Sequence, residues 1–423
     1  VHLTLRRDGS SKFAGGRKWG HFPSVTAGWH LSEVAFLNRQ RFFQTLTVRV
    51  HYGITGNSEG LAPLRSQELV GQVSRILPYY DGLSGTYKPS YGVVQLNNPT
   101  LQWEETRSRG WGVDFAFFKN RLRGSLDSYN RRSSGVLWPT NAPFRYANSY
   151  FQQTLLLNTG TIQNKGWELA LEADVIHHKN FNWKLNWTIA RNKNRVISMN
   201  ENEIKAQNPD KIILFTPYYS TLRGSYGLPT NVLRADLPVG AFWGPKIKGL
   251  DKNGFFIYGN TPFDFPESES LGSPQPHFTL GLTNQLNYKR WHLSFLWNGR
   301  FGHQLFDMNR VFMVPQLNRV PYENALREAL TASVKDTRIG INDYWIENGN
   351  FLRLDNLSLH YEFKKRPKIK QMKVFVGANN LLLLTRFSGI DPEMDLGNIR
   401  GGVSYLQFFY KSRGFNAGFE IEF

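Results

Sequence analysis

The feature that most constrains this chain is a period-two alternation with wide aromatic and aliphatic faces, repeated along its length. Near the C-terminus Phe415, Ala417, Phe419, Ile421 and Phe423 alternate with Asn416, Gly418, Glu420 and Glu422. Trp167, Leu169, Leu171, Ala173 and Val175 alternate with Glu168, Ala170, Glu172 and Asp174. After a polar turn at 177–180 come Phe181, Trp183, Leu185, Trp187 and Ile189, interleaved with Asn182, Lys184, Asn186, Thr188 and Ala190. A strand points successive side chains to opposite faces, so each segment has one apolar and one polar face. Two such segments joined by a short turn read as a hairpin. The polar faces hold several acids and a lysine, which a wet lumen solvates and a dry core does not. The pattern is that of a transmembrane antiparallel β-barrel, with apolar faces toward lipid.

About 12 strands are predicted, at roughly 1–7, 21–32, 44–56, 104–118, 121–134, 161–177, 181–199, 276–288, 291–303, 351–363, 371–385 and 413–423. Most exceed the ~9–11 residues that cross a bilayer. Short turns near 119, 179, 289 and 367 alternate with long loops at roughly 57–103, 135–160, 200–275, 304–350 and 386–412. Outer-membrane barrels keep short turns in the periplasm and long loops outside. The last strand therefore runs inward, the C-terminus is periplasmic, and the first strand runs outward. Val1-His2-Leu3-Thr4-Leu5-Arg6 already alternates like a strand interior, so the sequence is expected to begin inside a barrel. The lipid face is predicted to carry Trp167, Leu169, Trp183, Leu185, Trp187, Phe419 and Ile421. The first and last strands are expected not to pair with each other.

Composition supports this class. Aromatic residues make up 14% of the 423 residues, yet mean hydropathy is negative. No run of about 18 apolar residues exists, which excludes a transmembrane helix. The chain has no Cys, so a disulfide scaffold and a thiolate metal site are excluded. The net charge of +18 raises nucleic-acid binding. The cations do not cluster on one element, however; they are spread as in Lys364-Lys365-Arg366, Lys289-Arg290 and Arg131-Arg132. Basic turns at a membrane surface explain them more simply, and no nucleic-acid partner is expected.

Several segments carry a family resemblance. They are Arg7-Asp8-Gly9-Ser10-Ser11-Lys12-Phe13, Trp19-Gly20-His21-Phe22-Pro23-Ser24-Val25 with Gly28-Trp29, and Tyr52-Gly53-Ile54-Thr55-Gly56-Asn57. Asn164-Lys165-Gly166-Trp167-Glu168, Phe181 through Val196, Asn379-Asn380-Leu381, Gly389-Ile390-Asp391-Pro392-Glu393 and the terminal Phe423 complete the series. In this order, end to end, they resemble the SusC/RagA family of TonB-dependent transporters. The resemblance implies a 22-stranded barrel of which residues 1–423 are the C-terminal part. The plug, TonB box and signal peptide would lie upstream of Val1, on the same or a separate chain. It further implies a SusD-like surface lipoprotein as a lid, TonB acting through the plug as energy source, and Phe423 as a signal read by the barrel-assembly machinery.

The implied function is outer-membrane import of an oligosaccharide or oligopeptide, with the positive charge pointing mildly to anionic cargo. The rival reading is a non-transporting barrel subunit that serves as a structural or assembly platform in a larger envelope complex. Long-loop aromatics nominate the outward mouth as the ligand site, because exposed rings stack on sugars or grip side chains. The residues singled out are Tyr79, Tyr80, Trp138, Tyr146, Tyr218, Tyr219 and Trp243. Part of the 200–275 loop is expected to fold over or into the mouth. Asp251-Lys252-Asn253-Gly254 matches a calcium loop only in part and reads better as a hairpin turn between Trp243–Leu250 and Phe255–Tyr258. His177-His178 lacks a third ligand. No catalytic constellation stands out, so no enzyme, metal or cofactor is expected. Pro321 through Leu330 reads as a short helix, with Pro at its start and Leu326 and Leu330 four apart.

Overall fold

A computed structural model of the chain describes residues 1–34, 42–59, 61–72, 78–95, 98–141, 154–199, 213–215, 230–258, 267–315, 325–336, 341–364, 369–394, 401–404 and 410–423. The alternating segments form one twelve-stranded antiparallel wall whose spatial order follows the chain. Its strands are β1 (His2–Gly9), β2 (Trp19–His30), β3 (Phe43–Asn57), β4 (Glu104–Phe117), β5 (Leu122–Asn141) and β6 (Thr154–His178). They continue as β7 (Phe181–Met199), β8 (Phe278–Tyr288), β9 (Trp291–Phe301), β10 (Phe351–Glu362), β11 (Gln371–Thr385) and β12 (Gly414–Glu422). Among the described residues β1 is bonded only to β2 and β12 only to β11, so the sheet is open and its two outer strands do not meet.

Ten of the predicted strands match within a few residues; β5 and β6 are longer than the pattern implied. Both rise into the expected 135–160 loop, with Leu137 opposite Asn158 and Thr140 opposite Leu155. Register shifts beside Gly160 break the two-residue period while the ladder continues. The apolar run Leu155-Leu156-Leu157 thus hid a strand, because a bulge re-aims side chains without ending pairing. A second bulge lies between Asp174 and Ile176, so Ile176, not Val175, continues the apolar row opposite Trp183.

The register sorts the two faces. Val48, Val113, Leu126, Leu169, Ile189 and Leu280 form one row across six strands. None of the seven predicted lipid-face residues lies in a dry core; Phe419 is 76% exposed, and Trp167, Leu169, Trp183, Leu185 and Trp187 are half-buried. The opposite face carries charge. Arg49 bridges Asp114 at 2.6 Å and Asp127 at 2.9 Å, and Arg123 meets Glu172 at 2.6 Å. No described helix is long and apolar enough to cross a membrane.

The long connections hold the buried cores. The largest unites Phe242, Phe256 and Leu271 with Phe306, Val311, Val314 and Trp345, and with Val403. Three connections (β7–β8, β9–β10 and β11–β12) therefore share one hydrophobic interior, and burial of this kind is what orders a long loop. Two small sheets frame it, one of strands 213–215, 231–233, 241–245 and 268–272, the other of 304–307, 346–348 and 403–404. A second core joins Phe13 of the β1–β2 connection with Leu61 and Leu101 of the β3–β4 connection. Phe13, the aromatic of the Arg7–Phe13 motif, packs on Trp103 with ring centroids 5.0 Å apart.

The expected helix over 321–330 is not an α-helix where it is described. Residues 321–324 lie outside the described part, Leu326 is extended, and Arg327–Leu330 is a single 3-10 turn. The reason lies outside the segment. Glu328 is held by Arg310 through two hydrogen bonds, Nε–Oε2 at 2.8 Å and Nη2–Oε1 at 2.6 Å, and Ala329 is buried, which leaves Leu330 exposed rather than stacked on Leu326. The short α-helix of this region is α1 (Met308–Met313), capped by the Asp307 carboxylate accepting from Asn309 N at 3.0 Å.

Candidate functional site

The candidate mouth is the end of the wall where the long connections gather. Of the seven predicted ligand residues, Tyr146, Tyr218 and Tyr219 lie outside the described part. Tyr79 and Tyr80 are exposed on a small hairpin, 79–81 paired with 86–88, where Tyr80 and Tyr87 stand edge to face at 5.4 Å. Trp243 is half-buried and carries the Arg234 guanidinium 4.6 Å above its ring. Trp138 differs from the expectation of an exposed ring. It is only 6% exposed and packs with Val196, Met199 and Leu233. It lies there because β5 extends past its predicted end, which turns a loop aromatic into the core under the 230–240 segment. That segment docks on β7 through Val196 N donating to Leu237 O and Asp236 N donating to Val196 O, both 2.9 Å.

Sequence reasoning did not find the charged staple at the top of β9 and β10. Arg353 is fully buried and bonds Asp391 and, at 2.9 Å, Glu393. Glu393 also accepts from Arg300 at 3.1 Å and from Lys411 at 2.6 Å. The Asp391-Pro392-Glu393 motif thereby ties two wall strands to both ends of the last connection. Its signal was present as a family-like motif, but nothing in the sequence named its partners. A second staple sets Arg310 between Glu328 at 2.6 Å and Glu347 at 2.7 Å.

Asp251 behaves as a turn former, its carboxylate accepting from Asn253 N at 2.9 Å and Phe255 N at 2.8 Å, with Gly254 at a positive φ. The hairpin it closes is shorter than expected, 249–250 with 256–257, because 241–245 pairs in another sheet. Among the described residues no cluster of His, Cys, Asp or Glu is arranged to hold a metal ion.

Two buried titratable groups lie beneath the mouth and act in opposite directions. Burial, helped by the charge of Glu347, pushes Asp307 up to about 6. Burial, helped by Arg300, lowers His303 to about 4. A raised carboxyl destabilises the fold as pH climbs from about 4 to 6; a depressed imidazole does so as pH falls from about 6.5 to 4. The two slopes oppose each other. Asp307→Asn, whose amide keeps the cap on Asn309, should uncover the histidine slope. Loop-core stability followed by Trp345 fluorescence should then fall by about 2–3 kcal/mol more than in the parent between pH 6.5 and pH 4. Equal slopes in parent and variant would remove this account.

The long-connection end thus carries exposed and half-buried aromatics, two ionic staples and a shared hydrophobic interior, above a wall with a charged inner face. No family model matches the chain. It is similar to TonB-dependent receptor P39 of Formosa agariphila, 26% identical over 453 residues covering 94% of this chain and 42% of that protein. It is similar also to TonB-dependent receptor SusC of Bacteroides thetaiotaomicron, 26% identical over 430 residues covering 93% of this chain and 40% of that protein. The chain spans about two fifths of the length of the curated relatives it matches. Among solved structures, the RagAB peptide transporter superposes with a TM-score of 0.77 at 20% identity, over 99% of this chain and 45% of that one. The wall has the fold of the RagAB transporter, and over nearly its whole length the chain is similar to TonB-dependent receptors, SusC among them.

Proposed function

We propose that the chain supplies the C-terminal part of the wall and the outward mouth of a TonB-dependent importer of oligosaccharides or oligopeptides across the outer membrane. The observation that carries this reading is the open antiparallel wall whose long connections converge at one end on a shared core. Such a wall leaves a row of unpaired backbone groups on each outer strand, which lipid does not tolerate. Further strands of the whole protein complete the barrel, and its plug couples to TonB. The long-loop end faces outward and the C-terminus lies in the periplasm. A SusD-like lipoprotein closes over the mouth as a lid, and the positive charge of the chain favours anionic cargo.

Cargo contacts are assigned to Tyr79, Tyr80 and Trp243 and, outside the described residues, to Tyr146, Tyr218 and Tyr219; buried Trp138 supports rather than touches. The test is made in the whole protein, with surface assembly checked first. Tyr79→Ala combined with Tyr80→Ala, and separately Trp243→Ala, should leave assembly normal. Cargo affinity should fall by about 1–3 kcal/mol per stacking residue, by analogy with stacked bases. Oligosaccharide and oligopeptide mixtures are offered in parallel, so the retained class identifies the cargo. Normal uptake by both variants would take the mouth aromatics out of the mechanism.

A further inference from the structure

The outward face of the wall changes character on four neighbouring strands. Read from the short-turn end, β4 presents Phe117, Phe115, Val113 and Trp111, then Arg109 and Arg107. β6 presents Leu171, Leu169 and Trp167, then Lys165; β7 presents Trp187 and Ile189, then Arg191 and Lys193. Between them β5 offers Leu126, then Ser128, Asn130 and Arg132. The register sets Trp111, Ser128, Trp167 and Arg191 in one row and Arg109, Asn130, Lys165 and Lys193 in the next. Ser128 and Asn130 are short, so a groove of about 630 Å³ opens between Trp111 and Arg109 on one side and Trp167 and Lys165 on the other.

All six cations, Arg107, Arg109, Arg132, Lys165, Arg191 and Lys193, are exposed. The acids on this border are Glu105, 3.8 Å from Arg107, and Asp236, which holds Arg195 at 2.6 Å. Arg191 rests 5.3 Å above the Phe278 ring. Among the described residues Arg109, Arg132, Lys165 and Lys193 have no carboxylate partner. The patch is local. At the same end of the wall β9, β10 and β11 face outward with Phe301, Leu352 and Leu384, and β2 and β3 with Val25, Tyr52 and Ile54.

A lipid-facing Arg or Lys destabilises a barrel unless it reaches the interface, where Trp rings also settle. Unpaired cations gathered above two Trp residues are placed to meet anionic headgroups. We propose that this groove seats the phosphate-bearing headgroup of an outer-leaflet lipid, with the cations on its phosphates and its acyl chains descending past Trp111 and Trp167. This rests on the membrane orientation given under Proposed function.

The whole protein is purified in detergent and titrated with lipid A, with short-chain phosphatidylglycerol and with phosphatidylcholine, and bound lipid is read by native mass spectrometry. The parent should hold both anionic lipids above phosphatidylcholine. The triple variant Lys165→Ala, Arg191→Ala, Lys193→Ala should weaken them by about a hundredfold, since each surface cation contributes about a factor of five. Arg131→Ala, on the inner face of β5, should change nothing. Heat-modified gel migration reports whether each variant is a folded barrel, and phosphatidylcholine binding should be unaltered in all. Equal binding of anionic lipid by parent and triple variant would overturn the site. Displacement by millimolar inorganic phosphate would overturn it too, as that marks a free-anion site. A parent absent from the membrane fraction strikes the orientation instead, so the two failures are distinguishable.

Discussion

Replacing Glu393 by Ala should loosen the last long connection from the wall at a cost of about 3–5 kcal/mol, the scale of breaking a buried ion pair. Glu393 is the shared anion of three cations, Arg353, Arg300 and Lys411, at 2.9, 3.1 and 2.6 Å. Arg353 cannot turn to water, because its side chain is fully buried. Without Glu393 it keeps Asp391 alone, and its Nε already stands 4.0 Å from Asp355, too far for a hydrogen bond. Phe351 beneath the guanidinium, 5.4 Å away, cannot replace a carboxylate. Glu393→Gln should cost less, since an amide oxygen still accepts from one cation. Hydrogen exchange is the suitable measurement. Protection should drop in 386–394 and 410–413 while the ladder between β10 and β11 stays protected. Unchanged protection in the connection would mean that the staple is decorative.

The wall was legible in the sequence because a bilayer imposes one rule on every strand. Period two, aromatic faces and alternating loop lengths all follow from lipid on one side and water on the other. Trp167, Leu169, Trp183 and Leu185 needed no partner to be placed, only parity. Reading failed where parity itself failed, at the bulges beside Gly160 and at Val175. A one-residue shift moves each following side chain to the other face, and no local composition marks it.

The mouth was legible only as a region. Loop aromatics can be counted, but whether a ring is exposed depends on segments far away in sequence. Trp138 was read as a surface ring and is covered by residues near 233 and 239. Arg353 reads as an ordinary strand cation until Asp391 and Glu393 arrive 38 and 40 positions later. The spacing of residues 321–330 reads as a helix, yet Arg310 and the shared core hold Arg327–Leu330 in a single 3-10 turn. Long-range pairing decided each case, and periodicity carries no information about it.

Trp345→Ala should be the most damaging apolar truncation in the loop core, costing about 3–5 kcal/mol through lost burial and the cavity left behind. The ring is 1% exposed and meets Tyr344 at 4.7 Å and Phe256 at 5.8 Å, both edge to face. It also lies beneath the Arg310 guanidinium, 5.5 Å away, so its removal takes away the floor of the second staple while leaving the Glu328 and Glu347 contacts in place. Trp345 is contributed by the β9–β10 connection and Phe256 by the β7–β8 connection. The variant should therefore unlock both at once, which proteolysis will detect as early cleavage in each. The wall should survive, since its strands are stabilised by backbone ladders and lipid rather than by this core. Leu83→Ala, at a fully exposed hairpin tip, is the matched control and should stay within about 0.5 kcal/mol of the parent. If the mouth binds cargo on a preorganised surface, the folded Trp345→Ala barrel should lose affinity although Trp345 itself is too buried to touch a ligand. Retained affinity with both connections cleaved would show that recognition does not depend on the loop core, and would move the search for cargo contacts into the charged inner face around Arg49, Asp114 and Asp127.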